Sequence, residues 1–279
     1  MKIAVVGAGI SGLSAAYYLS KKHKVDLFEK ENQFGGHANT IKVAYNPNKE
    51  IPIDIGFMVF NKQTYPNLIN FFLENKIEIE KSDMSFSVTV ENSGLEYCGK
   101  GLGGIFSNKK NLFNPKFLKM FFEILSFYKN CEKIEIKKIS SITLGEYLTE
   151  IKISEYFINY HIIPMVSAIW SMPPYEAKQM PLSFFLSFFK NHGLFKIKDR
   201  PQWFTVTNRS KTYVDKIIGQ VSGEHFKNYN INKITRNDLG AKIFYGEENE
   251  FFEYDKVVIA THADEALKII DNPTLDEKS

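Results

Sequence analysis

The stretch "KIAVVGAGISGLSAAYYLSKKHKVDLFE", residues 2–29, decides the fold. Lys2 to Val6 is β-branched and apolar, which suits a parallel strand buried on both faces. Gly7, Gly9 and Gly12 follow in GxGxxG register. In such a turn the first glycine permits the tight bend and the second lets backbone approach a pyrophosphate. The third lets the next helix pack close to the strand. The pattern predicts that helix over about Ser11 to Lys21, with Ala15, Ala16 and Leu19 toward the sheet. Its N-terminal N–H groups and positive dipole end would face phosphates. Lys24 to Phe28, "KVDLF", predicts the second strand. Glu29 stands at its carboxyl end, 22 residues after Gly7, close to the roughly 20 expected of an acid that binds ribose hydroxyls. Each sign alone is weak. Strand, glycines, helix, strand and acid in that order predict a dinucleotide-binding βαβ unit.

The same residues mimic a secretory signal, with a basic residue, an apolar run and small residues. The glycine register argues against that reading, because a signal peptide has no use for it. No later segment reaches the ~20 uninterrupted apolar residues of a membrane span. "FLKMFFEILSFY" and "PLSFFLSFF" are short, and charge breaks the first. No integral membrane span is expected, although the chain has room for a lipophilic patch. The 279 residues suffice for one large domain or two interleaved ones. A net charge of +3 with 24% charged residues gives no strong field toward nucleic acid or anionic lipid. Cys98 and Cys131 have no CxxC or metal-ligand spacing. They read as buried-type free thiols of a reducing, cytoplasmic compartment, with no metal site.

Residues 31–40, "ENQFGGHANT", choose among dinucleotides. A plain nucleotide fold has no general need of a second glycine pair here. A longer dinucleotide with a flavin head needs a second backbone contact beyond the first cradle, and Gly35 and Gly36 free the backbone to make one. The run from Val5 to Thr40 resembles the extended FAD fingerprint of the amine oxidase-like flavoproteins, the superfamily of monoamine oxidases, protoporphyrinogen oxidase and phytoene desaturases. Its pattern is GxGxxGxxxAxxL, then an acid, then GGR and a hydroxyl residue. His37 stands where most members carry Arg, and an imidazole is a weaker phosphate partner than a guanidinium. Further blocks are similar to a bacterial branch of FAD-dependent, NAD/FAD-binding oxidoreductases: "IDIGFMVFNKQTYPNL" (53–68), "SDMSFSV" (82–88), "AIWSMPP" (168–174), "FFKNHGL" (188–194), "RPQWFTV" (200–206) and "VVIATHADEAL" (257–267).

The resemblance implies an α/β fold. It consists of a Rossmann-like FAD-binding domain with a parallel sheet and a small β-meander, plus an inserted, mainly helical substrate domain. Residues 1–60 and 205–279 would form the FAD-binding domain, and 61–204 the substrate domain. FAD contacts are implied for Gly7, Ala8, Gly9, Ile10, Ser11 and Gly12, and for Glu29 and Lys30. Gly35, Gly36 and His37 follow, then Asp54, Gly56 and Phe57, and finally Ile231, Ala260, Thr261 and His262. His262 takes the place of the usual glycine of an ATG-type motif. Asn208 and Arg209 stand where relatives tend to carry a glycine pair.

The rest of the chain is read from its own patterning. Tyr65 to Asn75 predicts a helix, "SFSVTVE" a strand and "GLEYCG" its hairpin partner. From about Leu112 to Phe195 apolar residues recur at helical spacing. Thr143 and Glu146 suit a capping box, and Leu182 to Asn191 suits a helix stopped near Gly193. Asn230–Arg236, Ala241–Tyr245 and Phe251–Tyr254 predict a meander that turns at "NDLG". Asp255 to Ala260 predicts a returning buried parallel strand.

Flavin chemistry takes a hydride from C–H or N–H, and the cofactor carries the hard step. No triad or metal cluster is needed, and no HExxH, GxSxG or Cys/His cluster is present. Trp170, His192 and Trp203 are candidates for a pocket around a small-molecule substrate, and catalytic residues stay unassigned. Superfamily members continue past the ATG-type strand with more substrate domain and a glycine-rich segment, whereas this sequence ends at Ser279 after "DNPTLDEKS". One reading is an FAD-dependent oxidoreductase, intact or completed by a partner chain that supplies the C-terminal part. The other is a non-catalytic or truncated remnant that binds FAD or NAD through Gly7 to Glu29. An NAD-only dehydrogenase is a third reading that fits the Gly35–Gly36 loop less well.

Overall fold

The computed structural model describes residues 1–139, 141–196, 199–247 and 250–278. The chain divides into two compact units. Unit 1 comprises Met1–Phe60, Tyr65–Ser82 and Phe204–Ser279, and unit 2 comprises Asn61–Thr64 and Asp83–Trp203.

Unit 1 is built on a four-stranded parallel sheet. Strand β1 (Lys2–Val6) runs between β2 (Lys24–Phe28) and the returning strand Lys256–Ile259, and the short strand His225–Phe226 flanks β2. Helix α1 (Ile10–Ser20) makes the crossover between β1 and β2. The apolar character of β1 has a direct cause. Ile3 and Val5 pack with Leu13 and Ala16 of α1 on one face, while Ala4 and Val6 pack with Phe28, Ile234 and Ile243 on the other. The second face is covered by an antiparallel meander of Ile231–Asn237, Gly240–Tyr245 and Glu250–Tyr254. Asp26 interrupts the apolar run of β2, yet it is buried because it accepts hydrogen bonds from the Glu224 N–H (2.9 Å) and the Tyr254 hydroxyl (2.8 Å).

Two features of unit 1 differ from the sequence reading. Helix α2 (Pro66–Glu74), expected in the insert, belongs to unit 1, where Phe71 and Phe72 join the core beside α1. The His225–Phe226 strand is too short to carry a pattern. Strands β3 (Thr40–Asn46) and β4 (Lys49–Asp54) form a separate antiparallel hairpin.

Unit 2 is mainly helical, with one hairpin of Ser87–Val90 and Leu95–Cys98. Helix α3 (Gly101–Ile105) precedes α4 (Pro115–Lys133), whose Phe117, Met120, Phe127, Tyr128 and Cys131 enter an aromatic-rich core. The expected capping box is present, with Glu146 N–H donating to Thr143 Oγ1 (3.2 Å) and Thr143 N–H to Glu146 Oε2 (2.8 Å). The helix Leu182–Asn191 ends at His192, and Gly193 follows with φ +64°. Cys98 and Cys131 form no disulfide, and burial pushes the Cys131 thiol up to about 12. No helix among the described residues is long and apolar enough to cross a membrane.

Candidate functional site

A cavity of about 840 Å³ opens in unit 1 at the carboxyl ends of β1, β2 and the strand Lys256–Ile259. Small-molecule and cofactor sites of ~300–1,000 Å³ commonly sit at this end of a doubly wound sheet. Gly7 starts the turn out of β1 with φ +96°, and its N–H donates to the Phe28 carbonyl at 2.8 Å, which ties the ends of β1 and β2 together. Gly9 is the N-cap of α1. No side chain caps that helix and no acidic residue lies in its first turn. The partial positive end of α1 and its unshared N–H groups therefore face the cavity, the arrangement that binds phosphate.

The three glycines have different reasons to be glycine. A Cβ on Gly12 would lie 1.8 Å from the Gly7 carbonyl oxygen, so Gly12 serves helix–strand packing and does not line the cavity. A Cβ on Gly9 would meet nothing within 4 Å and would project into open space at the cavity wall. Bare backbone at a cavity wall, beside an uncapped helix start, is what a bound pyrophosphate needs. The residues present fit a dinucleotide here.

Glu29 is buried at the end of β2 and lines the cavity. Its carboxylate accepts from the Ala8 N–H (3.0 Å) and from the Glu31 N–H (3.0 Å). A carboxylate has about four lone-pair sites, so acceptor capacity remains for hydroxyl groups. The backbone fixes the residue on both sides, since its N–H donates to Phe226 O (2.9 Å) and its carbonyl accepts from Tyr229 N–H (3.0 Å). Lys30 pairs with Glu265 at 2.8 Å, and both also line the cavity.

The second glycine pair reaches the cavity by docking on the first. Gly35 N–H donates to Ala8 O at 2.9 Å. Gly35 and Gly36 have φ +119° and +56°, and a Cβ on Gly36 would lie 3.0 Å from Gly9 Cα. Gly36 is therefore required by the packing of one loop on the other, and Gly35 by its own turn, where a Cβ would lie 2.6 Å from Ala38 O, before any ligand is considered. His37 and His262 face each other at the wall with parallel rings, 5.9 Å between centroids. Ala8, Ile10, Ser11, Phe57, Ile231, Ala260 and Thr261 also lie at the cavity wall.

Three residues expected to touch cofactor do not line the cavity. Gly12 is one. Asp54 is a buried hub that accepts from Ser210 N–H (3.1 Å), Ser210 Oγ (3.0 Å) and Thr40 Oγ1 (2.5 Å), so it fixes the hairpin to the Asn208–Ser210 loop. Gly56 has no room for a side chain because a Cβ would lie 2.1 Å from His37 O, and it thereby supports the His37 loop. Asn208 and Arg209 hold φ +64° and +79°, so the left-handed geometry that favours glycine is kept without glycine. Sequence reading missed Tyr65, Tyr213 and Tyr229 at the wall. Tyr229 precedes Ile231 closely enough that adjacency could have signalled it, whereas Tyr65 and Tyr213 carry no local signal.

Trp170, His192 and Trp203 take no part in this cavity. They join an aromatic stack within unit 2, with centroid distances of 4.6 Å for Trp170–Phe188, 4.0 Å for Phe188–His192 and 6.1 Å for His192–Trp203. A buried polar group that sequence reading missed is His161, in the π-helical turn Ile158–Ile162. Tyr97 O–H donates to Tyr160 O (2.7 Å), so its oxygen accepts from His161 Nδ1–H (2.9 Å). Nε2 then accepts from Tyr128 O–H (2.9 Å). Both ring nitrogens of His161 and both tyrosine hydroxyls are thus paired, and burial, with the nearby Arg200 charge, lowers the imidazole to about 3.

Comparison with known proteins agrees with this architecture. Residues 5–74 match the NAD(P)-binding Rossmann-like domain family. A stretch of 46 residues is 56% identical to prenylcysteine oxidase 1 of Rattus norvegicus, covering 15% of this chain and 9% of that protein. A stretch of 43 residues is 54% identical to 4,4′-diapophytoene desaturase of Staphylococcus aureus, again 15% and 9% of the two chains. A triple variant of putrescine oxidase with redesigned cofactor binding superposes with a TM-score of 0.69 at 16% identity, over 100% of this chain and 62% of that one. This chain thus spans about three fifths of that structure's length, and each curated match covers only 9% of the relative. The resemblance to amine oxidase-like flavoproteins is borne out in the fold and in a short stretch of close similarity to a phytoene-type desaturase.

Proposed function

We propose that this chain binds FAD and acts as an oxidoreductase of the amine oxidase-like class, on an apolar organic substrate. One observation carries the reading. Side-chain-free Gly9 faces a cavity that also receives the uncapped start of α1 and the buried Glu29 carboxylate. On this reading Gly9, Ile10 and Ser11 hold the pyrophosphate by backbone N–H groups, and Glu29 accepts from the adenosine ribose. Gly35–His37, Phe57 and Ala260–His262 bound the flavin-ward part of the cavity, and Ile231 the adenosine end. Bound flavin supplies the redox chemistry, accepting a hydride equivalent from a C–H or N–H bond. The residues of this chain bind, orient and keep water from that centre. Unit 1 is assigned as the FAD-binding domain and unit 2 as the substrate domain.

A second reading, dinucleotide binding without turnover, is favoured by the fact that every residue lining the cavity comes from unit 1. Purification followed by a visible absorbance spectrum tests the first step, because bound flavin colours the protein. Absence of flavin from the purified protein, together with failure of added FAD to bind, would remove the proposal. Binding of FAD without reduction by any amine or apolar alkene substrate offered anaerobically would leave the second reading in place.

A further inference from the structure

The net charge of the chain is small, but its lysines are not evenly spread. Residues 99–122, "GKGLGGIFSNKKNLFNPKFLKMFF", hold five lysines and no acidic residue. The same segment exposes four large apolar side chains: Leu102 (67%), Leu112 (46%), Phe113 (86%) and Phe122 (65%). Four exposed large apolar side chains interspersed with lysines in one short segment call for an explanation that a scattered surface leucine does not.

The segment is well anchored, so the exposure is not slack. Phe117 and Met120 of α4 are fully buried in the unit 2 core. Phe113 sits between two pinned asparagines. Asn111 is buried and donates to Glu96 O (2.9 Å), and Asn114 caps α4 by accepting from the Lys116 and Phe117 N–H groups (3.1 and 3.2 Å). The ring is held outward by the turn that carries it. Along α4 the exposed residues Lys119, Phe122, Ser126, Lys129 and Lys133 recur three and four apart, which places them on one face of the helix. Phe106, which follows α3, packs against Phe117 (6.0 Å) and Phe121 (5.6 Å) of α4, and Leu102 lies one turn before it. Lys109, Lys110 and Lys116 have no ion pair among the described residues.

We propose that this face of unit 2 is a peripheral membrane-docking surface for anionic phospholipid. Phe113, Leu112, Leu102 and Phe122 reach the acyl boundary, while Lys109, Lys110, Lys116 and Lys119 lie among the headgroups. The chemistry favours lipid over a protein partner. Lysine is depleted at protein–protein interfaces, whereas lysine stems with aromatic and leucine side chains are the composition of an interfacial anchor. The surface depends on neither FAD binding nor turnover.

Co-sedimentation of the full chain with phosphatidylglycerol-containing vesicles and with pure phosphatidylcholine vesicles tests this. Binding is expected to the anionic vesicles, far less to the neutral ones, and to weaken as salt rises. The double variant Phe113→Ser/Phe122→Ser should lower partitioning by about tenfold or more. Lys109→Glu/Lys110→Glu should lower it by at least about fivefold per lysine. All four residues are exposed, so circular dichroism of the variants should match the wild type. The proposal is overturned if the wild type ignores anionic vesicles, or if both variants bind them as the wild type does. It is equally overturned if the phenylalanine variant abolishes self-association of a chain that does not bind vesicles, which would make this face a protein interface.

Discussion

Replacing Gly9 by valine isolates the cofactor cradle from the fold. Gly9 has φ −70° and ψ −177°, extended backbone that any residue adopts, and its Cβ position has no heavy atom within 4 Å. Losing glycine at the N-cap to valine costs about 0.5–1.5 kcal/mol, and removing it from the unfolded chain returns about 0.4–1 kcal/mol. The net change should stay within about 1 kcal/mol, a Tm shift of roughly 2–4 °C or less. The branched side chain projects into the cavity at the start of α1, where it keeps a phosphate from the helix N–H groups. Charge-assisted hydrogen bonds contribute about 1.5–3 kcal/mol each. Loss of two weakens FAD binding by at least about 100-fold. Titrating FAD into ligand-free protein, alongside thermal unfolding without ligand, measures both quantities. Gly12→Ala is the contrast, because its Cβ would lie 1.8 Å from the Gly7 carbonyl oxygen and backbone cannot yield cheaply. It should destabilise the ligand-free protein by about 1–3 kcal/mol or more. Wild-type FAD affinity in Gly9→Val would refute the cradle, and so would a ligand-free Tm as low as that of Gly12→Ala.

Glu29→Ala should weaken FAD retention and also lower ligand-free stability by about 1–3 kcal/mol, because the buried Ala8 N–H loses its acceptor; unchanged flavin content on purification counts against the ribose role. Gly36→Val should lose both FAD affinity and about 1–3 kcal/mol of stability, since φ is +56° and the new Cβ would press on Gly9 Cα at 3.0 Å. His37→Arg should leave FAD affinity equal or higher, by at most about tenfold, and a weaker complex would show that His37 does not face the dinucleotide. Unit 2 should lose stability in acid through His161, whose ordinary value of 6.5 falls to about 3 in the fold. Between those values the unfolded chain binds a proton that the folded chain does not, so the contribution is complete above pH 6.5 and fades as pH falls toward 3. The slope is about 1.4 kcal/mol per pH unit, approaching ~5 kcal/mol in all. Urea unfolding of wild type and His161→Gln at several pH values checks it, and equal slopes would show that His161 does not carry the effect.

The sequence by itself determined what depends on neighbours along the chain. Glycine spacing, apolar period and capping residues specify β1, α1, β2, the meander and the box at Thr143, because each acts over a few residues of backbone. They also place Gly9 and Glu29 at the strand ends. Side-chain roles that need partners far along the chain were decided only by tertiary structure. Asp54 looks like a ligand contact in its own stretch, and becomes a packing hub because Ser210, 156 residues away, donates to it. Asp26 breaks an apolar strand until Tyr254, 228 residues on, supplies the hydroxyl that lets it be buried. Gly35 and Gly36 read as a flavin contact, and prove to be held first by the glycine loop they dock on. Local pattern fixes where the backbone runs, because hydrogen bonding and burial period act between near neighbours. Whether a given side chain meets a void, a neighbour or solvent is set by chain segments that only folding brings together.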